Sequence, residues 1–408
     1  MRVPCLALGC LAAASSAVAG VRAADRVQLI RVGLESLGVA QEVTLTSSTP
    51  FAAFDPDSHK VLAEWEAGEA AKLRLDAGSL QVGRLSAPAL YFSAEGPTLK
   101  VVGPSSTREY RGWIQLSIRG SRIWPVNELP LEAYLTGVLP CELGASNPLE
   151  ALKAQAVAAR TYALSRIGDF VKEGCDLVDN TRAQTYRGAT AEAERTNEAV
   201  RQTANQILVF DGRPISALYA TVSGGVTASA REAFGSEVPY LRSVPDVDES
   251  GKPFATGAKY FEWEASFTQV QVSDLLQKAG LFTGPVTDLR IDGTTESGRV
   301  AAVVVVGPVS DRRIPATSLR AALGVNVLRS TFFTLERTPD GWKLRGRGWG
   351  HGVGMCQAGA VGRAKAGQDY KQILAAYYPG AQLITVPGSA LTLANRGGIT
   401  RQKYVGKR

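Results

Sequence analysis

The segment NPLEALKAQAVAARTYALSRIG, residues 147–168, constrains the fold more than any other stretch. Its apolar spacing predicts a helix, with Leu149, Leu152, Ala156, Ala159 and Ala163 on one face. Alanine dominates the body, so a neighbouring backbone or a ligand can come close. Asn147 reads as the N-cap, Pro148 as the first helical residue and Glu150 as the partner in a capping box. Gly168 reads as the stop.

The sequence before this helix has a different texture. Between residues 27 and 125, the runs VQLIRVGL, VTLTS, AKLRLDA, LYFSA, LKVVG and WIQLSIRG alternate in polarity and are separated by Gly, Pro and Ser, as short strands are. LPLEAYLTGVLP predicts a short helix opened by Pro130. After the alanine-rich helix come a second helix within ATAEAERTNEAVRQTANQ, a strand ILVF, a turn at Asp211-Gly212 and a strand PISALYATVS. Residues 255–340 read as an inserted α+β unit, with YFEWEASF a strand, VQVSDLLQKAG a helix, LRIDGTTESGRVAAVVVVG a hairpin and ATSLRAAL a helix. The block GRGWGHGVGMCQAGAVGRAKAG precedes a last helix in YKQILAAYYPG. The fold class expected is α+β, a mixed helix/strand domain over 126–390 behind a β-rich domain over 27–125, with a tail over 391–408.

The first residues, MRVPCLALGCLAAASSAVAG, have a basic start, an apolar run and small residues ending in Ala17-Val18-Ala19. That pattern predicts a secretory signal over 1–19, with a second candidate cut after Ala23. No later segment has the roughly 20 apolar residues of a membrane span. The expectation is an exported protein, periplasmic or extracellular. The net charge of +7 suits an anionic partner such as a cell-wall polymer. No Lys/Arg-rich run or basic stripe interleaved with aromatics is present, which disfavours nucleic acid.

Candidate chemistry is sparse. The two histidines, His59 and His351, are far apart, so a His-rich zinc site is not expected. The GWGHGVG run around His351 lacks the Lys-Ser/Thr of a phosphate loop, and Ser223-Gly224-Gly225 is not a nucleophile elbow. A Cys–His nucleophile is conceivable from Cys356 and His351, against a disulfide or buried thiols. Glu142 stands out. It lies among Leu139, Pro140 and Leu143, where apolar surroundings would raise its pKa. Three readings are open: an acid in a cleft, an ion pair with Arg160 or Lys153, or a plain surface residue.

Four blocks carry a resemblance: VNELPLEAYLTGVLPCELGASNPLEALKAQAVAARTYAL, DLVDNTRAQTYRG, ALYATVSGGVTASAREAFGSEVPYLRSV and GRGWGHGVGMCQAGAVGRAKAGQDYKQILAAYYPG. In this order they resemble the stage II sporulation protein D (SpoIID)/LytB family of bacterial cell-wall proteins. The resemblance implies peptidoglycan glycan strands as substrate, and either lytic transglycosylase activity without a cofactor or enhancement of a partner N-acetylmuramoyl-L-alanine amidase. It makes Glu142 the catalytic acid. It implies groove residues at Gln155, Arg160, Tyr162, Gln184, Tyr186, Ser223, Gly224, Gly225, His351 and Gln357. Some members hold zinc near the QxY block, but this sequence lacks the Cys and His for it, so no metal is expected. If the first and last blocks line one cleft, Cys141 and Cys356 could form a disulfide between them.

Overall fold

A computed structural model describes residues 28–39 and 41–386. The expected signal segment and tail lie outside the described residues. The chain divides into two compact units. The first runs to Tyr134 and takes in Phe170–Asp176; the second comprises Leu135–Asp169 and Leu177–Ile384 among its described parts.

The first unit is all strand in its core. One sheet has the strands Leu29–Gly33, Arg122–Pro130, Trp113–Arg119, Ala89–Ala94, Phe51–Phe54 and Val61–Trp65 side by side in that order. The other orders Thr107–Tyr110, Leu99–Val102, Glu42–Thr46, Ala70–Asp76, Ser79–Val82 and Leu85–Ala87. Alternation explains both. Ile114 and Leu116 point inward on one sheet, Val43 and Leu45 on the other, and their polar neighbours face out. Each such side chain fully removed from water contributes roughly 1.5–3 kcal/mol. The six runs anticipated from alternation are strands. The strand Arg122–Pro130 was not anticipated; Pro130, read as the opening of a helix, is its last residue. Pro125 lacks an N–H, yet its carbonyl accepts the Leu34 N–H at 2.9 Å.

The second unit is built around the alanine-rich helix. Helix α1 spans Leu131–Glu142 and helix α2 spans Leu149–Ser165. Of α2, all residues from Ala151 to Leu164 except Lys153 are buried. The small side chains admit neighbours on every side: α3 (Glu194–Gln202), the strand Gln206–Phe210, and, near the end of the chain, helices Gln357–Lys365 and Tyr370–Tyr377. Ala154, Val157 and Ala158 pack with Leu208, Ile215, Met355, Ile373 and Tyr377 in one core. The Asp211-Gly212 turn closes a hairpin, both residues having positive φ (49° and 72°) as that turn requires. The inserted segment has its own core, with Trp263, Phe267, Leu276, Val303 and Trp342 among its members. Its strand, helix and hairpin elements fall where the sequence placed them, at Glu262–Thr268, Gln269–Lys278, Asp288–Thr294 with Val300–Val306, and Ala316–Leu323.

Three local expectations are overturned. Asn147 does not cap α2: Pro148 occupies the cap position and no side chain bonds there. The Asn147 amide turns back instead and donates to the carbonyls of Leu143 and Gly144, closing the end of α1. Glu150 forms no capping box either. It pairs with Lys153 at 2.6 Å and accepts the Tyr370 N–H at 2.9 Å. The helix of LPLEAYLTGVLP also does not stop at Pro140. Pro140 cannot donate to the Thr136 carbonyl one turn back, but the helix continues through it to Glu142. The Leu143 and Gly144 N–H groups then bond to the Leu139 and Pro140 carbonyls.

Candidate active site

Glu142 therefore sits on a helix end, not in a loop, and the Asn147 amide fixes that end. Its Oε1 accepts the backbone N–H of Thr185 at 2.7 Å. Burial raises the carboxyl pKa above its ordinary value of 4.5. The backbone and hydroxyl of Thr185, the Gln357 amide and the charge of Arg187 pull it the other way, and burial prevails. Neither ion-pair partner weighed for Glu142 holds it: Lys153 is engaged by Glu150, and Arg160 reaches backbone carbonyls. What results is a half-buried acid that keeps its proton to higher pH than a surface glutamate does.

Residues expected in the groove gather around it in part. The Gln357 amide donates to the Glu142 carbonyl at 3.1 Å and to Gln155 Oε1 at 3.4 Å, tying the last sequence block to the first. Gln155 is fully buried, and its Nε2 has no partner among the described residues. Gln184 is buried; its Nε2 donates to the Ala159 carbonyl at 3.3 Å and to the Tyr219 hydroxyl at 2.9 Å. Tyr162 lies with its ring 6.1 Å from that of Tyr219, and its phenol pKa is raised by burial. Tyr186 is buried against Gly137, where a Cβ would stand 2.5 Å from its Cε2. The bare Gly137 lets the 184–186 segment lie against α1, which brings the Thr185 N–H to Glu142.

Other expected residues are engaged in hydrogen bonds within the protein. Arg160 is fully buried and donates to the carbonyls of Ala156, Gln206 and Val200. A guanidinium so committed holds α2 to its neighbours and does not reach a substrate carboxylate. Ser223 is also sealed in. Its Oγ donates to Asp246 at 2.8 Å, its N–H to Cys356 Sγ at 3.1 Å, and its carbonyl accepts from Arg299 at 2.7 Å. Gly224 and Gly225, at φ 80° and 99°, make the tight turn after it. His351 Nδ1 accepts the Val353 N–H at 3.0 Å. Burial and the charges of Arg320 and Arg299, opposed by a backbone hydrogen bond at Tyr219, lower its pKa to about 4. It is a neutral loop-holding imidazole at pH 7.

The proposed Cys141–Cys356 bridge is absent, and both residues are thiols. Neighbours on a helix do not share a direction. Glu142 reaches Thr185, while Cys141 Sγ bonds back to the Gly137 carbonyl at 3.4 Å. Cys356 Sγ takes the N–H groups of Ser223 and Gly359, both at 3.1 Å, and burial pushes its pKa to about 12. That position excludes it as a ready nucleophile.

Thr185, Arg187 and Tyr219 were not singled out from sequence, although all three lie inside blocks that were. Period-two alternation was the available signal for Thr185: with Gln184 and Tyr186 buried, the residue between them faces the other way. Among the described residues no group of three or more His, Cys, Asp or Glu is placed to hold a metal ion. No described helix is long and apolar enough to cross a membrane.

Residues 119–210 match the Stage II sporulation protein (SpoIID) family model, and residues 242–354 match a domain of unknown function, DUF8618. The chain is 32% identical over 275 residues to Stage II sporulation protein D of Bacillus subtilis (strain 168), covering 63% of this chain and 75% of that protein. It is 32% identical over 288 residues to the Amidase enhancer of the same organism, covering 61% of this chain and 40% of that protein. An uncharacterised protein of Brachyspira hyodysenteriae is 32% identical over 277 residues, 68% of this chain and 72% of its own length.

Proposed function

The chain belongs to the stage II sporulation protein D family, and from that premise we propose that it is an exported lytic transglycosylase acting on peptidoglycan glycan strands, with Glu142 as its single acid and base. The observation that carries this reading is the Glu142 carboxyl: proton-retaining through burial, and oriented by the Thr185 N–H, which reaches Oε1 at 2.7 Å. A carboxylic acid of that kind suits protonation of a glycosidic oxygen near neutral pH.

The chemistry balances with one carboxyl group. Glu142 gives its proton to the oxygen leaving C1 of an N-acetylmuramic acid residue, and the C1–O bond breaks. The substrate's own N-acetyl group stabilises the developing cation. The C6 hydroxyl oxygen of the same sugar bonds to C1, and its proton passes to the Glu142 carboxylate. The acid is regenerated, a 1,6-anhydro ring is formed and no water is consumed. Thr185 fixes the carboxyl, while Gln357 anchors the helix end that carries it.

A second reading is favoured by one observation, the likeness to the Amidase enhancer of Bacillus subtilis. Under it the groove binds glycan without cutting it and a partner amidase does the cleavage. Incubation with glycan strands stripped of stem peptides separates the two. The enzyme reading expects 1,6-anhydro-muramic products from wild type and none from Glu142→Gln. Absence of such products from wild type, together with faster cleavage by an added amidase, favours the second.

A further inference from the structure

Outside the Glu142 cluster, three chain segments bring two aromatic rings and two cations together on the surface of the second unit. Tyr260 and Trp349 meet edge to face, with centroids 4.9 Å apart and planes at 87°. The Arg329 guanidinium stands 4.2 Å from the Tyr260 ring centroid and 6.0 Å from that of Trp349, and Lys259 Nζ lies 4.9 Å from the Tyr260 ring. The backbone builds this arrangement deliberately tight. Tyr260 has φ 67°, a left-handed conformation that a bulky residue rarely adopts. Gly348 donates to the Phe261 carbonyl at 2.9 Å, and Gly350 donates to the Arg329 carbonyl at 3.0 Å. Trp349 between them exchanges both backbone hydrogen bonds with Val222. A Cβ at Gly348 would sit 2.7 Å from the Val222 carbonyl oxygen, so glycine is what allows the approach.

The charges in this cluster meet aromatic rings and a phenol in place of an acid. Neither Lys259 nor Arg329 takes part in a salt bridge with a carboxylate among the described residues. Arg329 Nε is buried with no hydrogen-bond partner among the described residues, and its Nη1 reaches the Val327 carbonyl at 3.5 Å. Both cations bear on the Tyr260 phenol, Lys259 more strongly, and lower its pKa. Both rings remain partly exposed and Lys259 is exposed. Packing alone requires neither two cations without an acid nor a strained tyrosine.

We infer that Tyr260, Trp349, Arg329 and Lys259 form a subsite for a carboxylate-bearing sugar, the lactyl carboxylate of a muramic acid residue meeting the two cations while the pyranose face packs on the rings. The inference rests on the glycan-strand reading above and adds where along the strand the protein reads acidity. Charge complementarity selects the occupant: a neutral sugar satisfies the rings and leaves both cations unpaired. Trp349 is bridged to Val222, which is three residues, at most roughly 10 Å of chain, from Tyr219 beside Gln184.

The test uses the full chain carrying Glu142→Gln, so that binding is read without turnover. Trp fluorescence and calorimetric titrations compare oligomers of peptide-free glycan strand with chitooligosaccharide of equal length, which lacks the lactyl carboxylate. The acidic oligomer is expected to bind about tenfold more tightly, as one charge-assisted contact supplies. Lys259→Gln and Tyr260→Ala should each erode that preference, with the thermal midpoint of the exposed Lys259→Gln variant unchanged. Equal binding of the two oligomers, binding of neither, or a preference untouched by Lys259→Gln overturns the subsite. Product formation by wild type is scored separately. Inactive wild type that keeps the preference counts against the transglycosylase reading alone, and active wild type without the preference counts against the subsite alone.

Discussion

The Thr185 backbone N–H points at Glu142 Oε1 from 2.7 Å, and this contact joins the second sequence block to the acid of the first. It restrains the carboxyl without an ion pair. The acid is therefore governed by burial, which raises its pKa, against a few dipoles, which lower it.

Thr185→Val tests that balance. The hydroxyl of Thr185 favours the ionised carboxylate, and valine removes it while leaving the backbone N–H in place. The Glu142 pKa should rise further, and the limb of the pH–rate profile that reports it should move to higher pH. A limb that stays in place or moves to lower pH contradicts the assignment.

Stability carries the same signature with a definite sign. The folded Glu142 pKa lies above its unfolded value, so folding favours the protonated form. At pH below the unfolded value both states are protonated and the group costs nothing. As pH rises through the folded pKa, the buried charge is penalised and stability is lost. Glu142→Gln removes the charge and keeps an oxygen for Thr185. It should melt higher than wild type at pH 7 to 8, with the gap closing towards pH 4. Thermal unfolding across that range measures it, and a variant less stable than wild type at pH 7 would refute the buried-acid picture.

Arg160 separates scaffold from groove. Arg160→Met leaves the carbonyls of Gln206 and Val200 without their buried donor. The expected cost is about 3 kcal/mol of unfolding free energy by denaturant titration, with glycan affinity of the folded protein unchanged. A selective loss of affinity at full stability would return Arg160 to the groove.

The thiols should differ in reactivity. Cys141 is half-buried, whereas Cys356 is buried, doubly hydrogen-bonded and raised to about 12. Iodoacetamide followed by peptide mass mapping should label Cys141 in the native protein and Cys356 only after denaturation. A Cys141–Cys356 linked peptide in the unreduced digest would contradict both positions.

Much of this was legible in the sequence, for identifiable reasons. Alternation finds six strands of the first unit, and helical spacing finds α2 and the insert helices, because each element buries one face or stripe. Misreadings cluster where a residue has two local uses. Asn147 suits a helix start, but its amide closes the helix before it. The helix read from LPLEAYLTGVLP ends at Pro140 in the sequence, yet Pro140 lies inside α1. Polar residues in a recognisable motif look like ligands to the substrate. Yet buried carbonyls and carboxylates also demand donors, and Arg160 and Ser223 satisfy those instead. Thr185 stayed hidden because it acts chiefly through its backbone N–H, which every residue but proline has.

The most direct measurement digests stripped glycan strands in water enriched in oxygen-18 and weighs the products. A single-carboxyl transglycosylase forms its ring from the substrate's own C6 oxygen. The account predicts 1,6-anhydro-muramic ends without the heavy label from wild type, and no cleavage by Glu142→Gln. Labelled reducing ends, or the same products from Glu142→Gln, would contradict it.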